Sequence, residues 1–249
     1  MRSSRVAAVA TLLALTTALA ACGDDGDSND SDSDDKVTET VSVTPSASET
    51  TSAPPTTEVT TSVTPMDPTG DVTQEQVEAA LLTPEEVAPG LVLGQWTNED
   101  SPPPCDQSAL PVDEQIPPSV EAGVDISTAD GNASMEEEIA VYATEEEAGQ
   151  AFAVGSAGLD CSTATAEDGS SVTIGPATDV TADVNGASGL GTSTAWEISG
   201  EGFTAVLVAT LSSRIVMANT FVVADGADTS TLPTPLQIAA AAFAKALAS

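Results

Sequence analysis

Beyond about residue 70, nearly every segment follows one of two rhythms: apolar residues alternate with polar ones, or they return at helical spacing. Val120 to Ser127 and Ile139 to Ala143 are predicted strands, the second closing on Val141 and Tyr142. Further strands are predicted near Val172 to Ile174, Thr194 to Ile198, Phe203 to Leu211 and Ile215 to Val223. The last two are rich in β-branched residues and meet at Ser212-Ser213-Arg214, so they read as a central hairpin buried on both faces. Thr73 to Leu82 reads as a short helix, and Pro84 with Glu85 and Glu86 reads as the first turn of another, because proline and acids suit helix N-termini. Thr144 followed by Glu147 forms a capping box, after which Ala148, Ala151 and Phe152 recur at helical spacing until Gly155 and Gly158 weaken the helix. Thr234, Pro235 and Gln237 open a C-terminal helix in which Leu236, Ala239, Phe243, Ala246 and Leu247 share one side. Consecutive strands with short links favour antiparallel pairing, so the fold class is α+β: an antiparallel sheet with helices packed on one face. Residues 71 to 249 form one domain, long enough to bury a sizeable core.

The N-terminal third follows neither rhythm. Arg2 and Arg5 precede an apolar Ala- and Leu-rich stretch from Val6 to Ala21, the charged-then-apolar order of a secretory leader. At about 16 residues this stretch is shorter than the roughly 20 needed to span a bilayer. It ends in Leu19-Ala20-Ala21-Cys22, which resembles the bacterial lipobox. Residues 1 to 21 are therefore expected to be a lipoprotein signal peptide, with Cys22 lipidated and the protein held on the outer face of the cytoplasmic membrane. The alternative is an ordinary signal peptide with a chance cysteine beside its cleavage site. From Cys22 to about Gly70 the chain is Asp, Ser, Thr, Pro and Glu with scattered Val, the composition of a disordered acidic tether. Such a coil averages roughly 40 Å end to end, and its Ser and Thr beside Pro are candidates for O-linked sugar. Asp24 to Asp35 lacks the glycine and the glutamate that a calcium loop requires at its sixth and twelfth positions.

Charge and composition narrow the function. With 39 acids, 5 basic residues and no histidine, the formal charge is -34, and loss of Arg2 and Arg5 with the leader takes it to -36. Such a polyanion cannot neutralise a row of phosphates, so nucleic acid is excluded as a partner, and anionic lipid head groups repel it. Without histidine, serine-histidine-aspartate triads and histidine-bearing zinc sites cannot be built from this chain. No Gly-rich phosphate loop is present. Carboxylate chemistry is what survives for catalysis, but among 39 acids a suitable pair can always be found. The expectation is a protein that is not an enzyme and has no cofactor or metal. Once Cys22 is assigned to lipid, Cys105 and Cys161 are expected to pair in an oxidising compartment. The bridge would staple the Pro102-Pro103-Pro104 loop to the end of the capped helix. A redox-active pair would need the thiols close in sequence or in electropositive surroundings, and neither is visible.

One pattern of segments resembles a known family. It consists of "LLTPEEV", "PPPC" containing Cys105, "EEIAVYATEEEAGQAF", the cysteine Cys161, "FTAVLVATLSSRIVMANTFVV" and the terminal Ala-rich helix, over residues 78 to 248. In this order they resemble the extracellular sensor domain of actinobacterial serine/threonine protein kinases, the PknH-like domain, which also occurs alone on lipoproteins. The resemblance implies a twisted antiparallel sheet, helices fixed by disulfide, and a cleft for an unidentified extracellular ligand. It carries over no ligand residues. The chain lacks the second cysteine pair that members often have and has no kinase segment, so signalling would need an envelope protein partner.

Several residues are candidates for contact with a ligand. Trp96, Tyr142 and Trp196 are three of seven aromatics, suited either to stacking on a ligand in a cleft or to packing a core, and the core is the simpler reading. Arg214 is suited to a carboxylate or phosphate, or to closing the hairpin turn. The acidic runs Glu136 to Glu138 and Glu145 to Glu147 offer oxygen ligands to a divalent cation, but a solvated face explains them more simply. The function expected is a non-catalytic binding or sensing lipoprotein that recognises a small molecule or cell-wall component. The alternatives are a carboxylate-based hydrolase of wall glycans and a structural scaffold of the envelope.

Overall fold

The computed structural model describes residues 71–97, 101–166, 169–186 and 189–248. The predicted leader, Cys22 and the predicted tether lie outside the described residues.

Local signals set the first helices. In α1 (Gln74–Ala80) the Thr73 side chain accepts from the Gln76 backbone N–H while Gln76 Oε1 accepts from the Thr73 N–H at 3.0 Å. Short α2 (Pro84–Val87) begins the same way, with Glu86 accepting from the Thr83 N–H at 2.8 Å. After β1 (Val92–Leu93) and α3 (Val112–Gln115), β2 (Val120–Ser127) and β3 (Ala133–Val141) form a long hairpin. Then come α4 (Glu145–Ala157), β4 (Thr163–Thr165), β5 (Ser171–Ile174), β6 (Thr178–Asp179), α5 (Thr181–Val184), β7 (Thr192–Gly200), β8 (Phe203–Ser212), β9 (Ile215–Ala224) and α6 (Pro235–Ala248).

All strands pair antiparallel in the order β1-β2-β3-β9-β8-β7-β5-β4, and β6 shares the outer edge of β7 with β5. After β3 the chain crosses by α4 to the far edge, then returns strand by strand until β9 closes on β3. The β8–β9 hairpin is therefore central, as its β-branched sequence predicts. Ser213, with φ 52°, makes the tight turn, and its hydroxyl donates to Glu145 Oε1 at 2.7 Å. Arg214 closes the same corner by donating to the carbonyls of Tyr142 and Ala143 at 3.4 and 3.3 Å.

Register and the two-residue strand period divide the side chains between two covered faces. One face carries Ile126, Met135, Ile139, Met217 and Val208, on which α1 and α6 bury Val77, Ala80, Ile238, Ala242 and Phe243. Of the apolar side predicted for α6, Ala239, Phe243 and Ala246 are buried, while Leu236 and Leu247 pack at its margin. Lys245 ties α6 to the α1–α2 link by donating to the Leu81 carbonyl at 2.7 Å and to Glu86 at 2.6 Å. Although partial burial pushes Glu86 up, hydrogen bonds from Lys245 and Thr83 hold it below its ordinary value.

The opposite face is covered as well, so helices pack on both sides rather than on one. There α4 sets Ala148 and Ala151 on Ala140, Tyr142 and Val216. Trp196, Ile198 and Leu207 pack on Val172, Ile174 and Leu159 beside the disulfide. Cys105 and Cys161 are joined with Cα atoms 5.8 Å apart, and the Cys105 N–H donates to the Gly158 carbonyl at 3.1 Å. Gly158 is required at this junction, because a Cβ there would meet Pro103 Cβ at 2.6 Å. The Pro-rich loop is thus stapled to the end of α4. Among the described residues, no helix is long and apolar enough to cross a membrane.

Candidate functional site

The α4-covered face leaves part of the β2–β3 hairpin to polar groups. Because Ala122, Val124 and Ile126 point to the α1/α6 side, Glu121, Gly123 and Asp125 point the other way, joined by Ser134, Glu136 and Glu138 of β3. Cross-strand pairing sets Gly123 opposite Glu138 and Asp125 opposite Glu136. The missing side chain at Gly123 is filled by an indole: a Cβ there would lie 2.2 Å from Cε2 of Trp96. Trp96 Nε1 donates to Glu136 Oε1 at 3.1 Å and holds the ring over the strand, half-buried. Gly94 lies against Asp125 in the same way, its missing Cβ 2.2 Å from Asp125 Oδ2, and its N–H donates to the Asp125 carbonyl at 2.8 Å.

A third element completes this acidic recess. The disulfide-anchored loop runs into α3, which contributes buried Asp113. Asp113, Glu121 and Glu138 each offer a carboxylate oxygen, and these oxygens lie within 4.8 Å of one another. The Tyr142 ring packs among Val112, Ala148 and Val216, and its hydroxyl feels the charges of Asp113, Glu138 and Glu121.

Burial and like charge set the protonation of these groups. Burial first, then the charges of Glu121, Asp113 and Glu136, push Glu138 well above its ordinary value. Burial likewise raises the Tyr142 hydroxyl, helped by Asp113, Glu138 and Glu121, so it remains a donor at any physiological pH. Burial alone raises Asp125. The recess can therefore store a proton or receive a cation through an all-oxygen donor set.

The reading of Glu136 to Glu138 as a solvated run is overturned. Strand alternation sends Glu137 to one face and Glu136 and Glu138 to the other, and helices cover both, leaving Glu137 0 % and Glu138 7 % exposed. On the α1/α6 side, Glu137 Oε2 accepts from the Leu82 N–H at 2.8 Å, while Glu137 Oε1 and Asn219 Oδ1 are buried without partners at facing positions of β3 and β9. Burial pushes Glu137 up to about 7, against the Leu82 hydrogen bond and the Lys245 charge, which lower it, and with the Glu86 charge, which raises it. Glu145 to Glu147, by contrast, sit in the first turn of α4, where Glu147 completes the Thr144 capping box.

The aromatic candidates separate. Trp196 is core, 2 % exposed, and Tyr142 is buried beside the acids, while Trp96 stands at the recess. Arg214 belongs to the hairpin turn. Asp113, Glu121, Gly123 and Asp125 were not singled out from the sequence. The alternation of Glu121 and Asp125 with Ala122, Val124 and Ile126 is the signal that places the β2 acids on one face. No local pattern marks Asp113, whose position depends on the disulfide. A separate apolar crevice with a volume of only about 10 Å³ is lined by Val87, Leu91, Ile126, Met135, Phe221 and Ile238. It is below the usual 300–1,000 Å³ of small-molecule sites and has few polar groups to orient a ligand.

No family model matches the chain, and no curated protein does. Among solved structures four chains match. One is the crystal structure of the extracellular domain of PknH from Mycobacterium tuberculosis, which aligns with a TM-score of 0.52 and 17% identity over 71% of this chain and 97% of that one. At this identity the likeness shows a shared PknH-like fold.

Proposed function

We propose that the chain is a lipoprotein of the cell envelope, anchored by lipid on Cys22 to the outer face of the cytoplasmic membrane. Its domain acts as a non-catalytic binding or sensing module for a small molecule or cell-wall component. The observation that carries this reading is the recess itself: a half-buried indole held over a glycine, bordered by buried acids, on a fold shared with an extracellular domain. Buried polar groups gathered beside an aromatic plane suit recognition of hydroxyl-rich or cationic groups, the indole stacking on the ligand while the carboxylates accept its hydrogen bonds. The lipobox-like Leu19-Ala20-Ala21-Cys22 supports export and anchoring, and the absence of histidine supports a binding role over catalysis.

The test is a thermal-shift screen of the unlipidated chain, disulfide intact, against wall fragments, lipids and polyamines. A ligand at a hundred times its dissociation constant adds about 2.7 kcal/mol, which moves the midpoint by several degrees. The reading requires a saturable hit that Trp96→Ala weakens at least tenfold. A panel without hits, or hits indifferent to Trp96→Ala, would move the assignment to a protein partner or a scaffold role. Release of reducing sugar from wall glycan would instead establish the hydrolase.

A further inference from the structure

We infer that Asp113, Glu121 and Glu138 hold a divalent cation of calcium's size at the floor of the recess. This deepens the reading of the recess as a binding site and rests on it. The three carboxylates come from α3, β2 and β3, and their oxygens gather within 4.8 Å of one another. Oxygens on opposite sides of a calcium ion, each at 2.3–2.6 Å, lie about 5 Å apart, so one ion can touch all three. An all-oxygen donor set suits a hard cation, with water or a ligand hydroxyl filling the remaining positions.

A second observation points the same way. Glu138 is 7 % exposed and the neighbouring Tyr142 2 %, yet neither the Glu138 carboxylate nor the Tyr142 hydroxyl enters a hydrogen bond among the described residues. Buried polar groups ordinarily have partners, and a buried carboxylate without one is costly. Of the described basic side chains, Lys245 holds Glu86 and Leu81 on the opposite side of the sheet, and Arg214 donates to two carbonyls at the β8–β9 turn. A cation among the three carboxylates answers the burial of Glu138, and the buried Tyr142 hydroxyl lies close enough to feel the charge of all three. The disulfide contributes by pinning the loop that delivers Asp113. The overall charge of -34 raises the local concentration of any divalent ion.

The experiment is terbium luminescence on the chain from Cys22 onward, excited through aromatic residues. Residues 22 to 70 contain no Phe, Tyr or Trp, so ions collected by the acidic segment stay dark, while an ion beside Tyr142 and near Trp96 is sensitised. The expected result is a saturable signal that calcium displaces with an affinity of about 10⁻⁴–10⁻³ M, the range of extracellular calcium modules, and that magnesium displaces less well. Glu138→Gln and Glu121→Gln should each weaken it at least tenfold. Both variants put a neutral side chain of the same size into a crowded acidic site, and far-ultraviolet circular dichroism checks that each is folded. Absence of a saturable signal, or equal affinity in both variants, would overturn the inference and leave the cluster satisfied by a shared proton only. A wall-fragment hit unchanged by chelator and by Glu138→Gln would likewise overturn the cation site while leaving the recess a binding site. Saturable calcium displacement without any organic hit would uphold the cation and refute the wider ligand reading.

Discussion

Glu137→Gln should stabilise this protein, and only above a particular pH. Glu137 is fully buried in the α1/α6 core, and burial lifts its carboxyl from an ordinary 4.5 to about 7. Between these values the folded state holds a proton that the unfolded state has released. Stability therefore falls as pH rises through that window, and the full penalty is present above about 7. A displacement from 4.5 to about 7, at 1.36 kcal/mol per unit, is worth about 3 kcal/mol. Glutamine keeps an oxygen for the Leu82 N–H and brings a donor to the side where Glu137 Oε1 and Asn219 Oδ1 both lack one. The variant should match the wild type near pH 4 and exceed it by about 3 kcal/mol at pH 8. For a domain of this size that is about 6–12 °C in melting temperature. Thermal and urea unfolding followed by circular dichroism between pH 4 and 9 measures the difference, in which other titrating groups cancel. Wild-type and variant stabilities running parallel from pH 5 to 8 would refute the reasoning, because they would mean that Glu137 is ionised in the fold at little cost.

Three further outcomes follow from the same geometry. Replacing Cys105 and Cys161 together by Ala should lower stability by about 4 kcal/mol, the chain-entropy value for a separation of 56 residues, read as a lower urea midpoint. Gly123→Ala places a methyl where the Trp96 ring lies; the strand tolerates it, so urea stability should change little while indole emission shifts to the red as Trp96 moves into water. Unchanged emission would mean that the ring does not rest on Gly123. Cys22→Ser should move the protein from the membrane fraction to the soluble one, and retention on the membrane would refute lipid anchoring.

Much of the fold was legible because its signals are local. The Thr73, Thr83 and Thr144 caps stand where the sequence places helix starts, and the β-branched runs of β8 and β9 lie at the sheet centre. β2 matches its predicted span from Val120 to Ser127, whereas β3 begins six residues before the predicted Ile139. Three consecutive glutamates hid that half of the strand, since charge masks an alternation that becomes visible only when both faces are covered. The short β1, β4 and β6 owe their pairing to neighbours and carry little signal of their own. The recess was legible in part: Trp96 stood out as a rare aromatic, but Asp113 reaches Glu121 and Glu138 only through the folded, disulfide-held loop.

The central claim is that the acidic recess beside Trp96 is where this protein meets its ligand. Hydrogen exchange with and without a muropeptide digest of cell wall tests it most directly. The account predicts slowed exchange confined to the segments bearing Trp96, α3 and the β2–β3 hairpin. Protection centred on α1 and α6, or no protection anywhere at saturating digest, would contradict it.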